Sequence, residues 1–155
     1  MKTIINALPS RQDLTIIREF EIPVHLLYRA FSNPEFVSRW MNTTVIKLDH
    51  RPHGSYEFAT TDPMGNVHRF SGTIHDVIEH EKITRTFEMI GSEIGATLEV
   101  LYFERVGAAS SKLTMHVIYQ TEEKRAAQLR MPFAYGINMA HNRLEEIAVT
   151  EIEEQ

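Results

Sequence analysis

The sequence predicts an α+β fold, with a curved antiparallel sheet of about seven strands wrapped round one long C-terminal helix and two short helices after the first strand. Three observations predict it. Apolar residues alternate through much of residues 12–120, the period of half-buried strands. Turn sequences such as Asp62-Pro63-Met64-Gly65-Asn66 and Gly107-Ala108-Ala109-Ser110 join these runs directly, as in an antiparallel meander. From Thr121 the spacing changes to that of a helix, with Phe133, Ile137, Ala140, Leu144 and Ala148 on one stripe.

Residues 1–11 read as an irregular lead-in, 12–150 as a single domain and 151–155 as an acidic tail that frays. In the first strand Leu14, Ile16, Phe20 and Ile22 share a face, and Arg18 breaks the rule by falling on it. Pro23 suits the first turn of a short helix over Val24–Phe31, because its missing N–H would be unpaired there anyway. Asn33-Pro34-Glu35 repeats the start signal for a second short helix ending near Trp40: a capping side chain, a preset φ and a carboxylate at the positive end of the dipole. Strands follow over Val45–Leu48, Tyr56–Thr60, Val67–Ile78 (bulged near Gly72), Ile83–Met89, Thr97–Arg105 and Lys112–Tyr119. Thr121 with Glu122 and Glu123 caps the last helix, which Pro132 kinks or breaks.

Dimensions select the architecture. A helix from Glu122 to Ala148 spans roughly 40 Å at about 1.5 Å per residue. Seven strands about 4.8 Å apart make a sheet roughly 30 Å across. One long apolar stripe and one broad sheet with a single wet face bury each other. The short helices are placed to close one end of the groove between them.

Composition narrows the function. The chain has 155 residues, 43% hydrophobic and 24% charged, with a formal net charge of −5. That balance gives no electrostatic footprint for nucleic acid or an anionic membrane. There is no cysteine, hence no disulfide framework, thiolate metal site or Cys nucleophile. No window is apolar enough for a membrane span and the start lacks a signal-peptide core, so a cytoplasmic protein is expected. No G-x-S-x-G elbow, P-loop or G-x-G-x-x-G is present, and no catalytic residue is assigned.

Several local motifs resemble the family named after the activator of heat-shock-protein-90 ATPase homologue, within the START-like or SRPBCC superfamily of helix-grip proteins that includes the birch-pollen allergen. They are Arg18-Glu19-Phe20, Ser32-Asn33-Pro34-Glu35 leading to Arg39-Trp40, Asp49-His50-Arg51-Pro52-His53-Gly54-Ser55-Tyr56, Gly65, Phe70-Ser71-Gly72, Ile74, Asp76 and Thr86-Phe87. The resemblance runs from about residue 12 to 150. It departs at Trp40-Met41, where the family often has Trp-Trp, and at Pro52-His53-Gly54, where it often has Pro-Gly-Gly. In the last helix Gly136-Ile137 is followed by His141, where the family favours Gly-Trp and then Leu. The resemblance implies a groove that holds apolar ligands. It also implies three roles: a carrier or sensor of a small apolar or amphipathic molecule, a small enzyme of the polyketide cyclase or hydrolase kind, or a co-chaperone-type interaction module. The first is the expected function, without a cofactor, in a monomer or homodimer. The family's eukaryotic co-chaperone has an extra N-terminal domain for which 155 residues leave no room, so a chaperone partner ranks last.

Within such a groove Phe36, Trp40, Tyr56, Phe58, Phe70, Phe87, Phe133 and Ile137 are candidate lining residues, and equally candidates for plain core. His141 interrupts the apolar stripe and should face the sheet. It is either a core imidazole bonded to a Tyr or a backbone carbonyl, or a polar anchor for a ligand head group or a general base. A buried Arg18 needs a partner such as Glu57 or Glu99, or else serves as a hook for a ligand carboxylate. His50 and His53 beside Asp49 have zinc-ligand chemistry, but loop spacing fixes no geometry, and no metal site is assigned. His75 and His116 lie on strands and are candidates to meet across the sheet.

Overall fold

The computed structural model describes residues 1–153. The alternation becomes β2 (Asp13–Phe20), β3 (Thr44–Leu48), β4 (Ser55–Thr61), β5 (Val67–Ile78), β6 (Lys82–Met89), β7 (Thr97–Gly107) and β8 (Ser110–Ile118). An eighth strand, β1 (Ile4–Asn6), lies inside the stretch expected to be irregular and pairs Ile4 with Ile17. Three residues are too few to display a period, and β1 exists because the edge of β2 offers it unpaired backbone groups.

All pairings are antiparallel, in the order β1-β2-β8-β7-β6-β5-β4-β3. The meander β3 to β8 is closed by β2, with Asp13 opposite Ile118 and Phe20 opposite Ser111. The chain must therefore travel from β2 across the sheet to β3 at its far edge. The helices α1 (Val24–Ser32) and α2 (Pro34–Met41) make that journey, which is why they close one end of the groove. Pro23 stands just before α1 as its cap residue, one place earlier than expected. Asn33 caps α2 as expected, its side chain accepting from Phe36 N–H at 3.0 Å.

The terminal helical region is two helices. Pro132 cannot donate to the ladder and its ring clashes with the preceding turn, so α3 (Glu122–Arg130) stops and α4 (Phe133–Glu153) starts afresh. Thr121 caps α3 through Lys124 N–H at 3.1 Å. Helix α4 continues past Ala148 into the stretch expected to fray, while 154–155 lie outside the described residues. The expected bulge at Gly72 falls instead between Ile74 and Asp76. At Gly72 the Tyr56 hydroxyl passes between strands and donates to the Thr86 carbonyl.

The core sits between the concave face and the helices. Phe20, Leu101 and Leu113 from the sheet, Leu27 from α1, Phe36 from α2, and Leu144 and Ala148 from α4 are all essentially inaccessible. No helix among the described residues is long and apolar enough to cross a membrane.

Candidate functional site

Strand parity places Arg85 with Phe87, Thr97 with Glu99, and Met115 with Val117 on the concave face. Above them α4 presents Phe133, Ile137, Ala140 and His141, and α2 presents Trp40 and Met41 at one end. The sheet is wider than one helix can cover, so a cavity of about 370 Å³ remains between them. Its walls are mainly aromatic, aliphatic and methionine side chains, with polar groups from Arg85, Thr97, Glu99, Tyr119, Gln128 and His141.

Six expected lining residues meet here: Trp40, Phe70, Phe87, Phe133, Ile137 and His141. Phe36 and Phe58 are instead packed in the core at 1% and 2% exposure; Phe58 shares the concave face with its pair partner Phe70 but lies under packed side chains and not on the cavity wall. Tyr56 is equally buried and lies against a separate, more open hollow of about 430 Å³ with Gly72, Thr86 and Glu88. Trp40 is fixed by its indole N–H, which donates to the Ala30 carbonyl at 2.6 Å, and by the Phe31 ring at 5.3 Å.

Arg18 does not reach the cavity and does not pair with Glu57 or Glu99. Its Nη1 donates to Asn142 Oδ1 at 2.7 Å, Glu145 stands 4.0 Å from Nη2, and its guanidinium covers the Phe20 ring. Glu57 points outward, opposite in parity to Tyr56 and Phe58, and binds Arg69. Glu99 binds a different arginine. Arg85 Nε donates to it at 3.0 Å, with both residues under 9% exposed. The rings of Tyr56, Phe31 and Phe87 lie 5.3, 5.9 and 5.9 Å from the Arg85 guanidinium carbon. Sequence reasoning missed Arg85, although the signal was available. It shares parity with Ile83 and Phe87, the same charged interruption of an apolar face that marked Arg18.

His141 is 1% exposed, with its ring edge-on to Phe20 at 5.6 Å. Its Nδ1 is paired with the Thr3 hydroxyl at 2.9 Å, in place of the expected Tyr or carbonyl, because β1 carries Thr3 across α4. Burial, helped by the charge of Arg18, pushes its pKa down from 6.5 to about 3. The unfolded chain therefore binds a proton that the folded chain refuses between those values. Stability should fall as pH drops from about 6.5, by up to about 1.4 kcal/mol per pH unit for this one group. Urea unfolding at pH 7.0, 6.0 and 5.0 checks this, and His141→Leu should flatten the slope. The residual slope belongs to His50, which burial and Arg85 also hold low. An equal slope in both proteins would show that His141 is not the group refusing the proton.

Of the other histidines singled out in the sequence, only His53 and His75 come together, and His50 and His116 take other partners. His50 shares a 2.7 Å hydrogen bond with the Tyr28 hydroxyl, and His53 lies against His75 with ring centres 6.2 Å apart. His116 pairs with Asp13 at 2.8 Å. Two strands separate β8 from β5, so His116 and His75 do not meet. Among the described residues no three His, Asp or Glu side chains come together as a cation cage.

The sequence matches the family described as activator of Hsp90 ATPase homolog 1-like protein over residues 21–148. No curated protein matches it. Similar solved structures include one from Mycobacterium smegmatis, 20% identical with a TM-score of 0.83, covering 94% of this chain and 95% of that one. One from Arthrobacter aurescens is 14% identical with a TM-score of 0.85, covering 95% and 91%. A third, from Nitrosomonas europaea, is 22% identical with a TM-score of 0.78, covering 94% and 99%. At these identities the likeness is one of fold.

Proposed function

The chain belongs to the activator of Hsp90 ATPase homolog 1-like family, and from that premise we propose that it binds a small apolar or amphipathic molecule, without covalent chemistry, in the cavity under α4. One observation carries the reading. A space of about 370 Å³ is walled mainly by apolar side chains while a few polar groups point into it, the composition of a small-molecule site. The buried Arg85–Glu99 pair, which costs desolvation on both sides, lies on the wall of that space.

Catalysis of the cyclase or hydrolase kind is the second reading, and the polar groups on the cavity wall favour it. It is the weaker one, because the imidazole there is a poor base. A pKa near 3 is far from the neutrality at which proton abstraction is effective. A co-chaperone role draws on Leu129, Met131, Tyr135 and Met139, which stand exposed on α3, on α4 and at the joint between them.

Two measurements test the binding. Native mass spectrometry of the freshly purified protein should show a non-covalent adduct of small-molecule mass. Titration with the uncharged probe N-phenyl-1-naphthylamine should shift the emission of Trp40, the one tryptophan of the chain, since its indole borders the cavity. Probe binding that leaves Trp40 unmoved would place the site elsewhere.

A further inference from the structure

Thr3 stands outside the stretch that matches the family, yet it touches the cavity wall through another residue. Its backbone N–H donates to Asn138 Oδ1 at 2.9 Å, and the next residue, Ile4, is already in the sheet against Ile17. The side chain is thereby held at 8% exposure with its hydroxyl on Nδ1 of His141. His141 also lines the cavity, and among the described residues its Nε2 has no hydrogen-bond partner.

Counting hydrogens decides which tautomer this arrangement holds. If Nδ1–H donated to Thr3, the hydroxyl hydrogen and the Nε2 lone pair would both be left without partners. If the Thr3 hydroxyl donates to a bare Nδ1, the proton sits on Nε2, and one N–H remains, facing the cavity. The second arrangement leaves fewer buried polar groups unpaired. The opposite wall also presents donors, beside the Glu99 carboxylate. Arg85 can only donate; Glu99 occupies its Nε, and the terminal nitrogens keep N–H groups of their own. Glu99 balances that charge and repels a second carboxylate.

We propose that Thr3 is a positioning residue: it holds His141 with Nε2–H presented to the cavity, so that the site selects uncharged apolar molecules carrying an acceptor oxygen of the ketone, ester or ether kind. This rests on the cavity being the binding site.

Nitrogen-15 NMR of the free wild-type protein reads the tautomer directly. The expected result is a protonated Nε2 and a bare Nδ1, and a protonated Nδ1 overturns the proposal whatever binds. Selection is read by titrating 2-octanone and n-octane, which share one chain length. In Thr3→Val the ketone-to-alkane affinity ratio should fall about five- to tenfold, the worth of one net hydrogen bond. Thr3→Ser, which keeps the hydroxyl, should restore the ratio. Octane binding with a ratio unchanged in Thr3→Val overturns the selection but leaves apolar binding standing. If neither probe binds and Trp40 emission stays still, the cavity reading fails and this proposal falls with it.

Discussion

Ending the chain before Thr121 should abolish cooperative folding. Helices α3 and α4 cover the concave face, and α4 contributes Leu144 and Ala148, both wholly buried, and His141. Without them Ile16, Phe20, Met115 and Val117 on that face lose their cover. Arg18, on β2, would lose its Asn142 and Glu145 partners and be left unpaired. Each large apolar side chain returned to water costs about 1.5–3 kcal/mol, and a domain holds only about 5–15 kcal/mol in reserve. Several such losses exceed the reserve. The expected product aggregates, shows no sharp thermal transition and elutes in the void volume of a sizing column. A soluble monomer with a sharp melt would mean that the sheet holds together without its helices.

Gly72→Ala should be one of the most damaging single methyls in the sheet. A Cβ at Gly72 would run into the Thr86 carbonyl and the Tyr56 hydroxyl end, inside the gap where that hydroxyl meets that carbonyl. Neither neighbour is free to yield, since one is backbone of β6 and the other a ring 2% exposed. The expected loss is about 3 kcal/mol or more, at the upper end for overpacking. Tyr56→Phe in the same protein should not rescue it, because the carbonyl stays in the way. Gly65→Ala is the control. It meets nothing, but its φ of +87° strains any other residue, and a cost of about 1 kcal/mol is expected. Urea midpoints of the three variants rank the effects, and Gly72→Ala falling no further than Gly65→Ala would remove the steric argument.

What the sequence disclosed follows the range of the interactions involved. Period and capping act within a few residues, so strands β2 to β8, Asn33 and Thr121 were all legible. Arg18 was legible as a buried charge, but its partners Asn142 and Glu145 come from the far end of the chain and belong to no local pattern. His141 was legible as facing the sheet, whereas Thr3 was hidden because β1 is held by pairing and not by its own period. The cavity itself could not be read. It is the volume left over when a helix of given width stands over a sheet of given curvature. Aromatic residues such as Phe36 and Phe87 look alike in the sequence and differ only in which side of that gap they occupy.

The closure of β2 against β8 also sets the order of events on the ribosome. Asp13 pairs with Ile118, and 118 − 13 = 105 residues must emerge between the synthesis of one and the arrival of the other. At about 5–20 residues per second that interval is roughly 5–20 s, long compared with the formation of any hairpin in β3–β7. During it Leu14, Ile16 and Phe20 have no sheet neighbour on the β8 side, and α1 lacks the β7–β8 floor that it packs against. The nascent chain therefore carries a sticky amino-terminal strand through most of its own synthesis. Its yield in the cell should depend on what shields that strand while the rest of the chain is being made.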